Sequence, residues 1–343
     1  MPPAKWFFWN RTEARLRAGW RLVIQFVFWI YAPAVLVLIL GGNLANGLVS
    51  WLPDVYALAS LLSEFALRLP AILVSIGLVV RFVDRRPFTD LGFHLTRQWW
   101  LDLSFGLVLG AFLMALIFCV EWLAGWITVT GLLWTAQIAL PFPVALLGPL
   151  IIFVVIGLTE EVHARGYQLR NLAEGFCFPA LGARGALIVG WLMSSALFGL
   201  LHVRNPNSTG FSTLALMGVG LFFGLGFILT GNLAISIGLH ITWNFFQGSI
   251  FGFPVSGRYF GDVTLIAIQQ SGPVLWTGGA FGPEAGLIGL FAILLGCAMI
   301  VGWVRWQYGA ITLAGSLAVY KPHMPLMHPR QSSIVGNPSG EKS

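Results

Sequence analysis

Residues 145–172 run ALLGPLIIFVVIGLTEEVHARGYQLRNL, an apolar stretch that passes Pro149 and ends in four ionisable side chains within six residues: Glu160, Glu161, His163 and Arg165. Apolar residues follow one another without the alternation of a barrel strand, over a length that suits a membrane-crossing helix. A charged group placed in hydrocarbon costs from about 2.5 to more than 10 kcal/mol, so polar groups at the end of such a run mark a site before anything else is known.

Working outward, comparable runs lie near 22–41, 57–82, 99–124, 185–203, 211–230, 232–251 and 286–308, which with 145–172 makes eight. Of the 343 residues 57% are hydrophobic and only 9% charged, with a mean hydropathy of +0.82. A water-soluble chain carries about 25% charged residues. The composition therefore excludes a cytosolic enzyme, a disordered protein and a secreted disulfide scaffold. Cys119, Cys177 and Cys297 have no CxxC spacing and read as packing residues. The expected fold is an all-α integral membrane protein of about eight transmembrane helices around an intramembrane polar cavity.

The net charge of +6 reflects Arg and Lys beside membrane helices and gives no reason to expect nucleic acid. Lys5, Arg11, Arg15, Arg17 and Arg21 precede the first run, and Arg81, Arg85, Arg86, Arg97, Arg170, Arg184, Arg305, Lys321 and Arg330 fall in loops on the same side of an eight-span path. Only Arg204 and Arg258 fall opposite. Both termini are thus expected in the cytoplasm, in a bacterial cell membrane. The chain divides into a basic and aromatic N-terminus (1–21), N-terminal membrane helices (22–144), a chemically distinctive core (145–253), an extramembrane loop with the last helix (254–320) and a disordered tail (321–343) rich in Pro, Ser and Gly, which carries His323 and His328.

Few polar residues fall inside the runs. Glu64 and Arg68 are four apart and read as a structural pair, and Glu121 is expected to reach the interface. Motif one differs. Glu161 and Arg165 share a helix face and can pair, leaving Glu160 on another side of the turn, free to act as acid or base. The fifth run carries Phe198 and His202, and the seventh carries His240 and Asn244 on one face. Two chemistries fit these residues. In one, a desolvated carboxylate takes a proton from water, one imidazole orients that water, and a second imidazole with an amide N–H stabilises an oxyanion. In the other, Glu160, His202 and His240 hold a metal.

These three motifs, EExxxR at Glu160, Glu161 and Arg165, FxxxH at Phe198 and His202, and HxxxN at His240 and Asn244, resemble in kind and order those of the CPBP family of intramembrane proteases. That family includes type II CAAX prenyl endopeptidases, Abi proteins and bacteriocin-processing proteins. Arg86-Pro87-Phe88-Thr89-Asp90-Leu91-Gly92-Phe93 resembles the family's basic segment before the core. The resemblance implies an intramembrane endopeptidase in which Glu160 and His202 activate water while His240 and Asn244 stabilise the oxyanion, acting on a membrane-associated peptide or protein in the bilayer. The cofactor stays open, zinc or another divalent metal being the candidate. Ala164 and His163 depart from the usual pattern, and His163 is given no catalytic role.

Two other functions compete: a non-catalytic binding or immunity protein of the same fold, and a proton-coupled transporter, against which the lack of an internal repeat counts. A simple threading also separates Glu160 from His202 by roughly 15–20 Å. Shifting the fourth span to about 150–172, with Pro141, Pro143 and Pro149 breaking the chain before it, is the expected remedy.

Overall fold

A computed structural model describes residues 7–36, 38, 67, 69–136, 140–260 and 262–322. The Glu64–Arg68 pair, His323, His328 and nearly all of the expected disordered tail lie outside the described residues.

A two-residue ribbon, β1 (Trp9–Asn10) against β2 (Arg15–Leu16), leads into α1 (Ala18–Leu36), which contains Pro33. Helix α2 (Leu69–Val83) ends in a π-helical turn. Helix α3 (Arg97–Leu123) is started by Thr96, whose side chain accepts from the Trp99 backbone N–H. Strand β3 (Ile127–Thr135) follows, then α4 (Phe142–Gly175), α5 (Gly182–Leu201) and α6 (Gly210–Thr230). Thr209 and Ser212 form a reciprocal capping box at the start of α6. Helix α7 (Ala234–Phe245) continues as a π-helical stretch, Phe246–Ile250. Strand β4 (Val263–Gln270) and α8 (Leu287–Tyr308) complete the described chain.

Each of the eight apolar runs thus holds a helix, yet among the described residues six helices are long and apolar enough to cross a membrane. Helix α2 has 15 described residues, and α7 has 12 before its π-helical extension. The seventh run does not extend as a full α-helical span because its second half widens and then turns into the 251–258 loop. The all-α membrane class holds, while the count of eight spans is not established.

The fourth helix corrects the expected shift. It runs unbroken through 34 residues, and at 1.5 Å each that is about 50 Å, well beyond a hydrocarbon core of about 30 Å. Pro141 precedes it and Pro143 sits in the first turn, where the missing N–H has no cost; Pro149 is carried inside. The helix is longer rather than displaced, which places Glu160 deep along it. Its Val162–Leu169 segment is π-helical, a local widening often found at functional sites.

Helix α7 is clasped between α3 and α4 because small residues let backbones approach. A Cβ at Gly106 or Gly238 would strike the facing backbone of the other helix, and one at Gly157 of α4 would lie 2.7 Å from the Ile241 side chain. This last contact sets motif one beside His240. Apolar packing flanks α7 on two sides, with Leu113, Phe222, Trp243 and Ile300 in one cluster and Ile76, Tyr167, Leu187 and Ile237 in the other.

Three further features were not legible in the sequence. Strands β3 and β4 pair antiparallel, from Ile127 opposite Gln270 to Thr135 opposite Val263, so the extramembrane part is not simply loop. Glu121, near the end of α3, is buried and accepts from Gln270 Nε2 of β4 at 2.7 Å. Among the N-terminal basic residues, Arg15 and Arg21 are fully buried. Arg15 pairs with Glu174 at 2.7 Å, Arg21 with Asp84 at 2.8 Å, and Arg86 with Glu174 at 2.6 Å. The Tyr320 ring lies 3.5 Å from the Arg15 guanidinium. Charges desolvated together in this way need one another, and they tie the N-terminal ribbon, the end of α2, the end of α4 and the C-terminal segment into one closure. The Arg86–Phe93 segment belongs to it: Asp90 carries its carbonyl to Arg170, and Gly92 offers its own to Trp99 Nε1 and the Leu233 N–H.

Candidate active site

The sequence-predicted residues come from three helices, α4, α5 and α7, and gather at one cavity of about 850 Å³. Its lining includes Glu160, His202, His240 and Asn244, together with Thr159, His163, Phe198 and Phe223. Glu161 and Arg165 stand behind this wall, both fully buried.

Arg165 donates from Nη1 to Glu161 Oε1 at 2.9 Å, across one helical turn, and from Nη2 to the Gly220 carbonyl at 2.9 Å. Its guanidinium lies 4.6 Å from the centre of the Phe198 ring and 5.9 Å from that of Phe223. The motif phenylalanine thus provides an aromatic face for the motif arginine. Glu161 Oε1 also accepts from His240 Nδ1 at 2.8 Å, while Glu161 Oε2 has no partner. The helix spacing gave the Glu161–Arg165 pair, but the link onward to His240 could not be read from a linear chain.

That link fixes the imidazole. With Nδ1–H given to Glu161, His240 turns Nε2 toward the cavity, 4.0 Å from Glu160 Oε2. His202 is oriented in the same manner, its Nδ1–H donated to the Phe198 carbonyl at 2.7 Å, which leaves Nε2 free. The Glu160 side chain is 35% exposed, against 0% for Glu161. The neighbouring carboxylates are therefore held differently, one locked in ion pairing and one open to the cavity. Asn244 is at the buried edge of the lining, one turn after His240, with its amide uncommitted among the described residues.

Residues not foreseen in the sequence complete the walls. His163 faces neither a carboxylate nor the aqueous phase: it is buried, stacks on Trp29 with ring centres 4.6 Å apart, and meets the Gln25 and Gln168 amides at 2.8 Å each. A neutral ring donates from one nitrogen and accepts at the other, so one of these amides presents its oxygen. Through this contact α1 becomes a wall of the cavity, contributing Trp29, Ile30, Pro33 and Ala34. Glu284, in the short turn before α8 and outside the six long helices, also lines it. Its carboxyl accepts from the Ser256 N–H at 2.5 Å and from Gln247 Nε2. The one sequence signal for it is an acid between Gly282-Pro283 and an apolar run, in a chain with few acids.

Burial pushes the Glu284 carboxyl up to about 7 against the opposing hydrogen bonds. An acid whose folded value is raised binds its proton more tightly in the native state, so stability falls as pH rises from the ordinary value near 4.5 to about 7. Relative to Glu284→Gln, the wild type should lose about 3 kcal/mol over that window. Melting temperatures of both proteins in lipid nanodiscs across that range check this, and parallel curves would contradict it.

A polar cavity with one open carboxylate and two oriented imidazoles is thus walled by apolar helices. Residues 142–246, under a third of the chain, match the family model described as type II CAAX prenyl endopeptidase, Rce1-like. No curated protein and no solved structure matches the chain. The long apolar helices and the family match together make this an integral membrane protein.

Proposed function

We propose that the protein is an intramembrane endopeptidase that hydrolyses a peptide bond of a membrane-associated substrate, with Glu160 as general base. The observation that carries this reading is the unequal treatment of adjacent carboxylates: Glu161 is paired to Arg165 and His240, while Glu160 faces the cavity. A water seated between Glu160 and His202 Nε2 would give its proton to the carboxylate as its oxygen attacks the scissile carbonyl. Asn244 supplies an amide N–H to the developing oxyanion. His240 joins it as a donor when Nε2 carries a proton. The protonated Glu160 then returns its proton to the leaving amine.

The metal alternative asks more of the same side chains. Two imidazoles with Nδ1 committed to a carboxylate and a carbonyl have the orientation of metal ligands. Zinc, however, needs three donors within about 2.0–2.2 Å of one point, and among the described residues no group of three His, Cys, Asp or Glu side chains is placed to hold an ion. Glu160, His202 and His240 in this arrangement do not fit it. Active protein should therefore retain turnover after chelation and contain no stoichiometric zinc by elemental analysis. One tightly bound zinc per chain, with activity lost on removal and restored on return, would contradict the metal-free mechanism.

The setting we propose is a bacterial cell membrane with both termini cytoplasmic. The closure built on Arg15, Arg21 and Arg86 then faces inward, and the end of the cavity near Asn205 and Arg258 faces outward. Release of product from a tethered peptide substrate in proteoliposomes, by wild type and not by Glu160→Gln, tests the assignment.

A further inference from the structure

The outer end of the cavity is formed by a turn held in place from three directions. Val255 and Arg258 exchange backbone hydrogen bonds at 2.8 and 2.9 Å, and the two residues between them adopt positive φ, +48° at Ser256 and +79° at Gly257. A left-handed serine is unfavourable and persists only where its surroundings over-determine it. Here they do. The Ser256 N–H donates to the buried Glu284 carboxylate, the Gly257 N–H donates to the Phe281 carbonyl at 2.7 Å, and the Ser256 carbonyl accepts from Asn205 Nδ2 at 2.9 Å. Asn205 lies three residues beyond His202, so the turn is tied to the segment that carries a proposed catalytic imidazole.

What this turn presents is Arg258. It is exposed, and it is the only Arg or Lys side chain in the cavity lining among the described residues. No described residue gives its guanidinium a hydrogen bond or ion pair. Arg165, by contrast, is consumed by Glu161 and Gly220. An unpaired guanidinium fixed at the mouth of a largely apolar cavity is a receptor for a planar anion, which its fork can bind in bidentate fashion.

We infer that Arg258 is a specificity-determining residue that binds a carboxylate of the substrate peptide and so sets which bond reaches Glu160. The inference rests on the peptidase reading for its consequence, though the binding itself can be observed without cleavage. The carboxylate has two sources, the free C-terminus of the peptide or an Asp or Glu side chain beside the cut.

The test uses full-length protein in nanodiscs of uncharged lipid, carrying Glu160→Gln so that peptides are bound and not cut. Three short apolar peptides of one sequence serve as probes: with a free C-terminal carboxylate and no acids, amidated with one Asp, and amidated with none. At least one carboxylate-bearing peptide should bind about tenfold more tightly than the neutral one, and which of the two does so names the source. Arg258→Gln should erase the preference and Arg258→Lys should keep part of it; both changes keep the backbone pairing with Val255, and among the described residues the Arg258 side chain has no hydrogen-bond or ion-pair partner, so the fold is expected to persist. Equal affinity for all three peptides, no binding of any, or a preference that survives in Arg258→Gln would overturn the proposal. Cleavage by protein with Glu160 and Arg258 intact reports separately: a carboxylate preference without any cutting leaves the anchor standing and sinks the peptidase.

Discussion

Replacing Glu160 by Gln should lower peptide hydrolysis by about 10²–10⁴-fold, roughly 3–5 kcal/mol of barrier, while the protein stays folded in the membrane. The amide preserves size and can still hydrogen-bond, but it cannot take a proton from water. Little structure hangs on the carboxylate: its side chain is 35% exposed, and its ion-pair contact, with His240, is 4.0 Å long. Single-turnover rates of the purified variant on a tethered peptide measure the effect. Turnover at the wild-type rate would remove Glu160 from the mechanism.

Arg165→Ala should act in the opposite order, on the fold first and on activity as a consequence. It strips Glu161 of its guanidinium, leaves the Gly220 carbonyl without its donor and empties the space against Phe198. Removing one partner of a buried ion pair typically costs about 3–5 kcal/mol, because the remaining charge stays buried and uncompensated. A loss of that size should appear as a large drop in melting temperature, with hydrolysis falling as Glu161, no longer held by Arg165, ceases to fix the His240 ring. Unchanged melting would mean that the pair is solvated and that the site lies nearer the aqueous phase than its burial indicates.

The helices were legible because their signal is local. A twenty-residue apolar run announces itself, and the boundaries of α3, α5, α6 and α8 fall within a few residues of the expected runs. The i, i+4 spacing likewise makes Glu161 and Arg165 a pair on sequence grounds alone. What stayed hidden depends on chain segments meeting across distance. The β3–β4 pair joins residues more than a hundred positions apart, and nothing near Ile127–Thr135 indicates which segment will pair with it. The Glu161–His240 hydrogen bond exists because Gly157 lets α4 settle on α7, a property of a helix crossing. Charge counting treated Arg15 and Arg21 as signs of membrane orientation, whereas their acids sit on two other elements, at Asp84 and Glu174. His163 was left without a role for the same reason, since its partners Gln25 and Trp29 belong to α1.

Hydrolysis inside the membrane is the central claim, and the peptides of living membranes test it most directly. Membrane fractions from cells carrying the wild-type protein, cells lacking it and cells carrying Glu160→Gln would be compared by quantitative mass spectrometry of peptide termini. A set of new termini near membrane segments is expected with the wild type and is expected to be absent from both other strains. If the same termini persist in the Glu160→Gln strain while disappearing when the protein is missing, the protein supports a cleavage that it does not itself perform, and the claim is contradicted.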